Sequence, residues 1–121
     1  MSATRPPKAP PTDAEREAAA TELLRIRDRI DELDRDIVAL LNERASLGRD
    51  AGRAKHVAGR RALRDPERER EVLLRVTMAN AGPMPQADLL AIYRRLISVT
   101  RALETRDRAR ARLDGGGGDP D

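Results

Sequence analysis

Residues 21–57, TELLRIRDRIDELDRDIVALLNERASLGRDAGRAKHV, decide the fold. Leu23, Ile26, Ile30, Leu33, Ile37 and Leu40 recur at alternating spacings of three and four, and Arg44, Leu47, Ala51 and Ala54 keep the same rhythm. That period is the seam of a coiled coil. Thr12 and Glu15 have the spacing of a capping box, and from there to Leu47 the chain has neither Gly nor Pro, so one long helix is expected. Residues 21–57 alone would span roughly 55 Å at about 1.5 Å per residue, nearly twice the roughly 30 Å diameter of a small domain. One short chain cannot cover such a seam. The expected fold is therefore all-α, with two chains sharing their long helices in a homodimeric helical bundle.

Outward from this helix, residues 56–64 read as a loop around Gly59. Asp65 is placed as an N-cap with Pro66 at the first helical position, opening a second helix through Val72, Leu73 and Val76 to about Ala81. Gly82-Pro83-Met84-Pro85 stops it. A third helix is expected from near Gln86 to roughly Arg112, its apolar positions being Leu89, Leu90, Ile92, Tyr93, Leu96, Ile97, Val99 and Leu103. The helical domain is thus read as residues 12–113. Residues 1–11, with four prolines, and residues 114–121, DGGGGDPD, read as disordered tails.

Composition narrows the chemistry. The 121 residues contain no Phe, Trp or Cys, and Tyr93 is the only aromatic, so apolar faces are built from aliphatic side chains that favour helices. Zero cysteines exclude a disulfide framework or a thiolate metal site, and a lone His56 leaves no zinc cluster, so no metal is expected. With no apolar run of 18 residues and no apolar stretch near the start, the reading is a cytoplasmic protein with no membrane partner. The 24 Lys and Arg residues are interleaved with 21 acids for a net charge of +3, a pattern of solvated helix faces rather than of a nucleic-acid surface.

Several polar residues interrupt this pattern. Arg44 occupies a seam position due an aliphatic residue, and Lys55 lies 11 residues on, about 20° around the same helix face at about 100° per residue. Both heads can grip one anion, although a single polar seam residue can also serve only to fix register. On the third helix, Leu90, Tyr93, Ile97, Thr100 and Glu104 share one stripe, so Thr100 and Glu104 are polar groups on a partly buried face, or else solvated at its edge. The second helix begins with Asp65, Arg68 and Glu69, where the acids suit the helix dipole and Arg68 does not unless it has an anion to bind. Together these residues suit a small polyanion. Without a Ser-His or Cys-His pair, a metal cluster or a Gly-rich phosphate loop, any chemistry at such a site is electrostatic.

The segments LLRIRDRIDELDRDIVALLNERASLGRDAGRAK, LRDPERERE and IYRRLISVTRALE, within roughly residues 21–108, resemble the all-helical chorismate mutases. That family's pattern is an arginine in the first turns, one in mid-helix, a lysine near the helix end, D-x-x-R-E, and a hydroxyl followed four residues on by Gln or Glu. The resemblance implies an intertwined homodimer and the pericyclic rearrangement of chorismate to prephenate, which needs neither cofactor nor nucleophile. Carried over by position, Arg44 of one chain and Arg27 of the other would hold the two substrate carboxylates. Lys55 and Glu104 would be the catalytic donors to the ether oxygen. Arg68 would add positive field, Glu69 and the backbone at Asp65 would hold the ring hydroxyl, and Thr100 would assist a carboxylate. This chain has Glu104 and Thr100 where a well-known branch has Gln and Ser, and its loop from Lys55 to Asp65 is one residue longer.

Two same-fold alternatives, an isochorismate-pyruvate lyase and a 4-amino-4-deoxychorismate mutase, differ by pocket details that one sequence leaves open. A non-enzymatic dimeric helical module is the alternative of another class, and a nucleic-acid binder would use neither Arg44 in the seam nor Glu104 on an aliphatic stripe. The sequence leaves open whether the Pro-rich head is a linker or docks on a partner enzyme.

Overall fold

The computed structural model describes residues 9–59 and 64–116. Its elements are three helices, α1 (Asp13–Val57), α2 (Pro66–Ala79) and α3 (Gln86–Gly116), and the described residues contain no strand. The all-helical expectation therefore holds, as does the order long, short, medium. Most of the Pro-rich head, residues 1–8, and the end of the Gly-rich tail, residues 117–121, lie outside the described residues. So do residues 60–63 of the expected loop.

The chain divides into two compact units, Met1–Leu40 and Leu41–Asp121, with the boundary inside α1. In the first unit the capping box forms as the spacing predicts: Thr12 Oγ1 accepts from the Glu15 amide at 3.2 Å, and the Thr12 amide donates to Glu15 Oε2 at 3.3 Å. Two orphan amides of the first turn are thereby satisfied. Exposed pairs one turn apart follow, Asp13 with Arg16 at 2.8 Å, Glu22 with Arg25, and Arg29 with Glu32 at 3.1 Å. Solvent screens such exposed pairs, so they add little to the helix. The seam residues Leu23, Ile26, Ile30, Leu33, Ile37 and Leu40 remain 42–62% exposed in one chain.

In the second unit, Asp65 caps α2 by accepting from the Arg68 amide at 3.1 Å, with Pro66 at the helix start. The helix stops at Ala79, two residues before the expected end. Asn80 is the reason, since its amide nitrogen donates to the Met84 carbonyl at 3.0 Å and its side-chain oxygen accepts from the Gly82 amide at 3.0 Å. A short polar side chain here competes with helical hydrogen bonding before the Gly-Pro stop is reached. Gly82, at φ +80°, then turns the chain into α3, where a side chain would be strained.

α2 packs on α3. Leu73, Val76, Leu90, Tyr93, Leu96 and Ile97 are half-buried between the elements of this unit, while Ile92 and Val99, expected on the apolar face, are 46% and 39% exposed. None of the described hydrophobic side chains reaches full burial in a single chain. α3 runs to Gly116, past the expected end near Arg112. Gly costs a helix only about 1 kcal/mol relative to Ala, so the strong helix formers before it carry the turn onward where a proline would not.

Candidate active site

Along residues 44–52, α1 lies against α3 in the same direction. The Arg44 guanidinium sits 5.8 Å from the centre of the Tyr93 ring, Gly48 meets Thr100, and Gly52 meets Glu104. Arg44, Gly48, Gly52 and Lys55 fall within one face of the helix at about 100° per residue. Two of these positions carry no side chain, and that lets the α3 stripe come close. A Cβ on Gly52 would stand 2.7 Å from Glu104 Cγ and 2.9 Å from Cδ, inside van der Waals contact. A methyl group on Gly48 would overlap the Thr100 side chain in the same way.

Among the described residues Glu104 is the buried polar side chain, 6% exposed, and its Oε2 has no hydrogen-bond partner among them. A buried, unmatched carboxyl oxygen is costly unless something else satisfies it. Lys55, half-buried in the last turn of α1, stands three residues from the glycine on which Glu104 rests. Arg44 is half-buried, its planar cation laid over an aromatic face, a contact of about 0.5–1 kcal/mol that limits where the fork can point.

The other predicted residues divide. Thr100 Oγ1 donates to the Leu96 carbonyl at 3.0 Å, so its proton has to leave the helix backbone before it can serve a carboxylate. Asp65 is the α2 cap, and Glu69, half-buried, makes long ion pairs with Arg101 at 3.5 Å and Arg64 at 3.8 Å. Arg68, singled out for lacking an anion in its helix turn, has one nearby, for its Nη1 donates to Glu71 Oε1 at 3.1 Å on the exposed side of α2. Arg27 is exposed on α1 within the first unit.

Beside Glu104 opens a cleft of about 670 Å³, lined among others by Arg49, Gly52, His56, Asp107 and Arg108. It is of small-ligand size. Of the eight predicted site residues Glu104 alone borders it. Sequence reading also passed over Gly48 and Gly52, whose signal was two glycines four apart in a helix otherwise free of them up to Leu47, on the face of Arg44. It passed over Arg49 and Asp107 as well, whose side chains join α1 to α3. Asp107 is held below the usual carboxylate range by hydrogen bonds from Arg49, against an opposing push from desolvation.

Chemically this is a carboxyl withheld from water, set against a helix face that carries an arginine and a lysine. No group of three or more His, Cys, Asp or Glu placed to hold a metal occurs among the described residues, and no helix among them is long and apolar enough to cross a membrane.

Residues 26–105 match the family model described as chorismate mutase type II, an interval that contains all eight predicted site residues. The bifunctional chorismate mutase/prephenate dehydratase of Aquifex aeolicus (strain VF5) is 40% identical over 87 residues, 69% of this chain and 24% of that protein. Its counterpart from Neisseria gonorrhoeae is 38% identical over 78 residues, 64% of this chain and 21% of that protein. The chain thus spans about a quarter of the length of the curated relatives it matches. Among solved structures, chorismate mutase (form II) from Thermus thermophilus superposes with a TM-score of 0.66 at 30% identity, over 70% of this chain and 96% of that one. The three-helix fold, its superposition on a solved mutase and the matched interval lead to one conclusion: this chain belongs to the chorismate mutase type II family.

Proposed function

We propose that the chain catalyses the rearrangement of chorismate to prephenate, as a homodimer whose two sites are each built from both chains. The observation that carries this reading is Glu104, buried on Gly52 with an oxygen unmatched, on the α1 face that also holds Arg44 and Lys55. In the reaction the ether carbon-oxygen bond breaks as a carbon-carbon bond forms within the same molecule, so nothing is oxidised and nothing leaves. Negative charge builds on the ether oxygen. Lys55 donates to it, a compact ammonium able to serve an ether oxygen and a carboxylate together, where a planar fork would be too large. Glu104 is the second donor, a role a carboxyl fills only while it carries a proton.

Arg44 and the partner's Arg27 hold the two substrate carboxylates and thereby select the compact conformer that can react. Glu69 and the backbone at Asp65 receive the ring hydroxyl, Arg68 adds positive field, and Thr100 supports a carboxylate. Orientation together with donors that strengthen in the transition state must supply on the order of 8 kcal/mol for a millionfold acceleration. The dimer is supported by the exposed seam of α1 and by the lack of any buried hydrophobic side chain among the described residues of one chain. Covering the seam would contribute on the order of 1 kcal/mol per half-exposed Leu or Ile.

Product analysis tests the reading. The protein is incubated separately with chorismate, isochorismate and 4-amino-4-deoxychorismate, and products are followed by NMR. Prephenate formed from chorismate, at a rate that collapses in Lys55→Ala, is expected. Pyruvate released from isochorismate with no prephenate from chorismate would move the chain to the lyase reading, and turnover confined to the amino substrate would move it to the other mutase.

A further inference from the structure

Glu104 Oε2 is buried with no hydrogen bond among the described residues to aim it, which gives the packing around the side chain weight in setting where that carboxyl points. Packing supplies one wall. The α1 backbone at Gly52 is buried against the Glu104 side chain, close enough that its position depends on how α3 is seated on α1. Three residues before Gly52 on α1 is Arg49, and three residues after Glu104 on α3 is Asp107. Arg49 Nε donates to Asp107 Oδ2 at 2.9 Å and Nη2 donates to Oδ1 at 2.7 Å. Two parallel bonds between planar groups fix rotation as well as distance, which a single contact cannot do. The pair is part-buried, with Asp107 the more shielded partner, and it spans 58 residues of sequence to tie the two helices together.

From this geometry we propose that Arg49 and Asp107 are positioning residues for Glu104. Their fork locks the register of α3 on α1 and so sets the Glu104 carboxyl on Gly52 within reach of the reacting ether oxygen. Asp107 lies just beyond residue 105, where the match to the family model ends. The proposal rests on the reading of Glu104 as a donor in the mutase reaction. Neither Arg49 nor Asp107 touches substrate in it; both act through Glu104.

The test is a cycle of variants in the full chain, assayed with chorismate at a temperature where circular dichroism shows each variant folded. Asp107→Asn is expected to lower kcat by about ten- to a hundredfold, as a misplacement near 1 Å does, with KM moved less than about twofold. In a Glu104→Ala background the same substitution should cost nothing further, because the residue it positions is gone. The exchange Arg49→Asp with Asp107→Arg should recover most of kcat. If Asp107→Asn does not fold, Arg49→Lys, which keeps the charge and loses the fork, takes its place with the same expectations. Unchanged kcat, or an equal loss with and without Glu104, would overturn the positioning role. A wild-type chain inactive on chorismate would instead overturn the functional reading beneath it.

Discussion

Lys55 and Lys8 are the only lysines in a chain that otherwise uses arginine for its cations, and Lys55 is half-buried where the proposed chemistry needs a point charge. Lys55→Arg keeps the charge and changes its shape. It is expected to lose at least about a hundredfold in kcat, the scale of removing one transition-state donor, while far-ultraviolet circular dichroism stays that of the parent. Wild-type turnover would reduce Lys55 to a solubilising residue. Glu104 carries a second expectation at this scale, because a carboxyl donates only when protonated and a carboxylate only accepts. Glu104→Gln, a neutral amide that is always a donor, should therefore keep activity while Glu104→Ala loses it, and a Glu104→Ala enzyme as active as the parent would remove Glu104 from the chemistry. Glu104 stood out in the sequence because it interrupts an apolar stripe, and Lys55 because it lies on the helix face of Arg44. Gly48 and Gly52 were not, since a glycine's meaning lies in what faces it, and sequence does not print the opposing helix.

Between elements, the pairing of Arg49 with Asp107 makes a prediction that concerns stability rather than turnover. Asp107 is lowered in the folded state by the hydrogen bonds from Arg49. The sign follows from linkage: the stabilisation is present above the unfolded carboxylate value of about 3.9 and is lost as pH falls through the lower folded value. Thermal melts of wild type and Asp107→Asn should differ at neutral pH and converge below about pH 4. A gap that persists unchanged in strong acid would show that the Asp107→Asn change acts through packing and not through the ion pair. Helix starts were readable in advance, Thr12 with Glu15 and Asp65 with Pro66, because capping is local chemistry. Helix ends were less so. Asn80 ends α2 through side-chain bonds to residues of the following turn, and α3 outlasts Arg112 because glycine is a weak stop.

For the whole molecule, the decisive quantity is apolar surface that one chain leaves uncovered. Six seam positions of α1 remain close to half exposed and none of the described hydrophobic side chains is buried, as the length of the helix alone implied. Sedimentation at micromolar concentration should find a dimer, and a folded, active monomer would remove the shared site from consideration. Sequence could reach the exposed seam because helix length and seam period need no knowledge of what covers it. It could not reach the juxtaposition of α1 and α3, which depends on contacts between residues some 50 positions apart. A site shared between chains makes its most direct prediction when two dead variants are mixed. Arg27→Ala and Lys55→Ala should each be inactive alone. After subunit exchange in an equal mixture, about a quarter of the sites combine an intact Lys55 with the partner's intact Arg27, so about a quarter of wild-type activity should return. Activity that stays at the level of the separate variants, once exchange has been verified by mass-labelled subunits, would contradict a site built from two chains.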